Sequence, residues 1–156
     1  MTSLQSDTGR SLVRAGIILQ LCGLIWGFAV QGTPFPRLGL TAHIQCMLIG
    51  NMLIVYGLIL HQPGLVSLKF GTLQVKIIQW GMLAVYITMA SEMLNAFWGT
   101  NQMLPQAAKA AGAVGGLPWQ EQLVTFAHMF PSFTLIAAVT AVVVGMGGRE
   151  QAKKTA

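Results

Sequence analysis

Three ionisable side chains stand inside long apolar runs of this chain: His43, Glu92 and His128. A group of that kind in an apolar span is costly to keep and marks a functional site by default. His43 lies in Leu40-Thr41-Ala42-His43-Ile44-Gln45, and on a helix Met47 and Gly50 follow on nearly the same face. A histidine followed by a flexible thioether and a residue without a side chain leaves room for a large flat group, such as a haem held by the imidazole. The spacing equally suits a histidine hydrogen-bonded at a helix interface, with Gly50 permitting close approach, and spacing alone favours this plainer reading. Glu92 shares its run with Thr88, Ser91 and Asn95, which form a polar stripe at helical spacing. Its carboxyl could serve as a general acid in a small pocket or tie two helices together. His128 precedes Met129, Phe130 and Pro131. It could be a second axial ligand, a partner for Glu92, or a donor to the carbonyl freed by the proline, and the sequence favours the last. His61, beside Gln62 and Pro63, reads as interfacial. Cys22 and Cys46 have no metal-ligand spacing and read as small hydrophobes.

The elements that must carry these residues follow from composition. Of 156 residues, 54% are hydrophobic and 8% charged, where a soluble domain has roughly a quarter charged. The deficit runs along most of the chain, so lipid is the solvent. Apolar stretches at about 12–30, 38–60, 77–99 and 123–145 each approach the roughly 20 residues that cross a bilayer core. Backbone groups in lipid must pair internally, so each is a helix. The chain is therefore expected to be all-α, one domain over 1–156, a polytopic four-transmembrane-helix bundle. Arg14 can snorkel from the end of the first span, and Pro131 reads as a kink in the fourth. Arg10 and Arg14 precede an apolar core as in a signal peptide, but Val30-Gln31-Gly32 offers no small-residue cleavage site. Arg10, Arg14, Lys69, Lys76, Arg149, Lys153 and Lys154 fall on one side, against Arg37 and Lys109 on the other, which places both termini in the cytoplasm. The connection over 100–122, with Pro105, Gly112, Gly115, Gly116 and Pro118, is expected to be an extracytoplasmic loop without regular structure. Trp26, Trp80, Trp98 and Trp119 suit interfacial belts. The net charge of +5 comes from residues scattered between and outside the spans, which argues for headgroup contact and against nucleic acid. Soluble-enzyme signatures such as a Walker loop, GxSxG or HExxH are missing from the sequence.

Particular segments add a resemblance. Pro36-Arg37-Leu38-Gly39-Leu40-Thr41-Ala42-His43, Phe97-Trp98-Gly99-Thr100, Met103-Leu104-Pro105 and Pro118-Trp119-Gln120-Glu121 resemble the hydroxylaminobenzene mutase family in order and spacing, from span one to span four. That family converts an aryl hydroxylamine to an ortho-aminophenol in bacterial nitroarene breakdown. It is similar in turn to the styrene oxide isomerases, four-helix membrane enzymes that assemble as trimers and hold haem b at subunit interfaces. The resemblance implies a multi-pass protein of the bacterial inner membrane, a homotrimer, with haem b as cofactor, His43 as its iron ligand and a small aromatic substrate. Met47, Gly50 and Trp98 would then lie near the haem, and Glu92, Asn51, Tyr86 and Asn95 near the reacting molecule. The chain departs from the pattern at Ile49 and Thr88, where those families tend to have asparagine, and at Glu92, where the isomerases have tyrosine. The departures suggest that Glu92 takes the polar role opposite the iron. With the same iron, opening of an aryl epoxide to an aldehyde is the nearest alternative. An electron-transfer cytochrome ligated by His43 and His128, or a structural or transport protein without cofactor, are the alternatives from other classes.

Overall fold

The structure, a computed structural model, describes residues 3–62, 64–67 and 70–146. Helix α1 (Ser3–Ala29) ends in a single 3-10 turn at Val30–Gly32 and leads to α2 (Pro36–His61). The third crossing is made by α3 (Gly71–Leu83) and α4 (Val85–Trp98), followed by the short α5 (Pro105–Ala110) and by α6 (Pro118–Met146). Among the described residues, four helical segments are long and apolar enough to cross a membrane: Ser3–Gly32, Pro36–His61, Gly71–Trp98 and Pro118–Met146. At about 1.5 Å per residue, even the 26-residue α2 exceeds the roughly 30 Å hydrocarbon thickness. The protein is all-helical among the described residues, a polytopic bundle.

Two sequence expectations change here. The third crossing is not one uninterrupted helix. Ala84 keeps helical angles and its N–H bonds Trp80 O, but Ile87 N–H reaches back to Ala84 O, three residues away, so the chain tightens for one turn. The connection after α4 is not irregular throughout either, since proline at the first turn of α5 starts a six-residue helix. Of the seven basic residues used for orientation, Lys69, Arg149, Lys153 and Lys154 lie outside the described residues; Arg10, Arg14 and Lys76 are exposed.

Successive crossings run antiparallel. Side chains that a soluble protein would bury face outward, among them Phe28 (92% exposed), Leu48, Phe133 and Ile136. With lipid outside, helix association depends on close packing and hydrogen bonds more than on apolar burial. The α1–α2 pair illustrates this. Gly9, Gly16 and Gly23, seven residues apart, meet Gly57, Gly50 and Cys46 in reverse order. A Cβ built on Gly16 would lie 2.5 Å from Gly50 O, so the two backbones touch. Gly16→Leu should therefore destabilise the bundle by about 1–3 kcal/mol, read as a lower unfolding midpoint in detergent. Gly32→Ala, where an added Cβ meets nothing within 4 Å, serves as the neutral control. Equal midpoints for the two variants would show that the backbone contact is dispensable.

Candidate active site

Helix α2 carries two polar residues on nearly opposite faces. His43 and Gln45 are two positions apart, about 200° around the helix. His43 faces α1: its Nδ1 lies 2.8 Å from Gly23 O. A carbonyl only accepts, so Nδ1 carries the hydrogen, and Nε2 keeps its lone pair with no partner among the described residues. Gly27 makes room for the ring, since a Cβ there would stand 3.0 Å from Nδ1. The side chain is half-buried, flanked on α2 by the exposed Leu40 and Ile44.

Gln45 points the other way, toward α4 and α6. Its amide donates to Glu92 Oε1 at 2.9 Å, and His128 Nε2 lies 3.2 Å from the same oxygen. Glu92 is 2% exposed and His128 7%. His128 Nδ1 is 2.8 Å from Val124 O, which again fixes a hydrogen on Nδ1. The contact between Nε2 and Oε1 must then hold one further proton, either on the imidazole, giving an ion pair, or on the carboxyl. Glu92 Oε2 is different. It is buried and has no hydrogen-bond partner among the described residues. Leaving such an oxygen unsatisfied costs about 1–3 kcal/mol or more, so it needs a reason.

The proline in α6 explains another polar residue. Pro131 has no N–H for the carbonyl four residues back, Ala127 O, and the Thr88 hydroxyl donates to that oxygen at 2.7 Å. The expectation that His128 serves the freed carbonyl is therefore corrected: Thr88 does so, and His128 is left to Glu92.

The profile of the styrene oxide isomerase family matches residues 8–147. The chain belongs to the styrene oxide isomerase family. Two relatives are hydroxylaminobenzene mutases of Ectopseudomonas oleovorans. HabB is 30% identical over 145 residues, covering 92% of this chain and 84% of the relative. HabA is 32% identical over 133 residues, covering 83% and 89%. No solved structure matches. This member of the styrene oxide isomerase family is accordingly a multi-pass membrane isomerase.

Against that identity, the structure sorts the residues singled out from the sequence. Met47 stays beside His43 on the α1 side, its Sδ 3.4 Å from a Cβ built on Gly23. Gly50 does not leave room for a flat group, because α1 fills the space: an added Cβ would stand 2.6 Å from Gln20 Cγ and 2.9 Å from Gly16 O. Asn51 is exposed and accepts from Gln20 at 2.7 Å. The Tyr86 hydroxyl donates to Ala15 O on α1. Asn95 Oδ1 accepts from the Thr100 amide and hydroxyl, both at 2.7 Å, and so fixes the chain past Gly99, whose left-handed φ of 64° ends α4. Trp98 packs edge-on against Trp119, with centroids 5.2 Å apart. These four have partners away from Glu92. His43 and Glu92 also face apart within one chain, so Glu92 is not opposite His43 in a single copy.

Two residues carry more than their sequence suggested. Gln45 sits within a membrane-spanning run, and an amide there has to find a partner, which was the available signal. Glu121, 4% exposed, accepts backbone N–H bonds from Asn101, Gln102 and Gly116 at 2.8–3.2 Å and thereby gathers the loop between α4 and α6. Its position three residues after Pro118, in the first turn of α6, is a sequence mark of a helix start.

Proposed function

We propose that the chain rearranges an aryl hydroxylamine, such as hydroxylaminobenzene, to the 2-aminophenol, with haem b held by His43. The His43 surroundings fit an axial ligand: Nδ1–H donates to a backbone carbonyl, which fixes the ring and leaves Nε2 free to bind iron. When bound, the haem supplies a Lewis-acid pull on the hydroxylamine. This chain's own residues handle the protons. Glu92 gives a proton to the departing hydroxyl oxygen, the N–O bond breaks with both electrons going to oxygen, and that oxygen joins the ortho carbon. The carboxylate takes the proton which that carbon must lose, and the surplus proton on the newly attached oxygen passes to the nitrogen. Proton and electron counts close without a redox partner. Oε2 is covered in the isolated chain, so it reacts in a dry setting once the substrate has displaced the side chains over it. His43 and Glu92 face apart in one chain, which supports a site completed by a second copy in a homo-oligomer, a trimer by resemblance. Both termini lie in the cytoplasm in this reading, and the membrane is the bacterial inner membrane.

The buried carboxyl paired to an imidazole is the observation that supports this reaction over epoxide opening. N–O rearrangement must place one proton and remove another, whereas epoxide-to-aldehyde isomerisation shifts a hydride within the carbon skeleton and needs neither. The mutase names of the two relatives agree. The purified protein should convert phenylhydroxylamine to 2-aminophenol and process styrene oxide slowly or not at all. Turnover of the epoxide alone would overturn the assignment.

A further inference from the structure

We infer that His128 and Gln45 are positioning residues that together assign the two oxygens of Glu92 to different tasks. Oε1 is held by both, and Oε2 is left as the atom that exchanges protons with the substrate. The inference rests on the aryl hydroxylamine reading for its substrate but not for its geometry. Gln45 approaches Oε1 from α2 and His128 from α6, so the carboxyl on α4 is clamped from two sides and cannot turn its ends over. Val124 O holds Nδ1, so the imidazole is itself fixed. Such a clamp would be a poor structural tie by itself, because it leaves a buried oxygen without a partner.

The chemistry gives that oxygen a use. In the acid step the Oε2–H bond breaks and an O–H bond forms on the departing hydroxyl. The negative charge left on the carboxyl sits in apolar surroundings and is offset by the Nε2–H of a His128 imidazolium at Oε1. In the base step the ortho C–H bond breaks, its electron pair returns to the ring, Oε2–H is restored, and the surplus proton on the newly attached oxygen passes to the nitrogen, which ends as the amine. His128 never meets the substrate; it sets how readily Glu92 carries charge. Cys46, buried on α2, is a further titratable side chain in the bundle interior. Farther along α6, Glu121 is tied to loop amides.

His128→Leu removes the donor, and His128→Gln retains an amide that can serve Oε1. In the purified protein at neutral pH, infrared spectra taken against Glu92→Gln give the share of Glu92 present as carboxylate. That share is expected to fall in His128→Leu and to recover in part in His128→Gln. With phenylhydroxylamine, kcat is expected to drop about 10²-fold in His128→Leu and about 10-fold in His128→Gln, with KM little changed. Gln45→Met, which removes the other donor and no titratable group, is expected to shift the carboxylate share the same way by a smaller amount. An unchanged carboxylate share in both His128→Leu and Gln45→Met overturns the inference. If wild type carboxylate depends on His128 while phenylhydroxylamine is not turned over, the clamp stands and the substrate assignment fails.

Discussion

His43→Gly, purified after expression with ample haem, is expected to be colourless and to turn over phenylhydroxylamine about 10³-fold more slowly than wild type. The magnitude follows from losing a Lewis-acid contribution of several kcal/mol, each 1.4 kcal/mol being tenfold in rate. The variant should still fold. His43 is half-buried at the outer edge of the α1–α2 contact, its one hydrogen bond is to Gly23 O, and the backbone contacts at Gly9 and Gly16 do not involve its ring. Free imidazole added to His43→Gly should restore pigment and part of the turnover, because Gly27 leaves space beside α1 for a ring. Full pigment and full activity without that addition would remove His43 from the site.

Glu92→Gln is expected to lower kcat by about 10²- to 10⁴-fold, the usual contribution of a positioned general acid or base, with pigment and KM retained. The substitution keeps an oxygen that can accept from Gln45 and removes the exchangeable proton. Glu92→Leu leaves the Gln45 amide and the buried His128 Nε2 without their shared acceptor, so this variant should unfold earlier than wild type while being equally inactive. Glu92→Leu combined with His128→Leu and Gln45→Met, which removes the whole cluster, should regain most of the lost stability. Wild type turnover in either single variant would be incompatible with proton handling at residue 92.

The fold was legible because lipid imposes simple demands. The four crossings, their rough limits and the outward apolar faces follow from run length and from the scarcity of charge. Less legible was which polar residue meets which. Periodicity put His43, Met47 and Gly50 on one face, and they do share it. It could not show that α1 packs backbone to backbone there and takes the room Gly50 offers. The Glu92 stripe was readable as polar, yet its partners come from α2 and α6, and a contact between distant helices leaves no mark in local spacing. His128 shows the same limit. Beside a proline, the nearest carbonyl looks like its natural acceptor, and only the threonine on a neighbouring helix, already bonded there, frees the imidazole for another use.

The single helix that carries both His43 and Gln45 has one more implication. The imidazole is anchored by α1, within the first 61 residues, while residue 92 belongs to the second half of the chain and meets α2 through the Gln45 amide. Swapping the side chain at 92 for another hydrogen-bonding type leaves the anchorage of His43 untouched. On the proposed reading, such an architecture would let selection revise the proton chemistry one codon at a time, with haem attachment at His43 held constant.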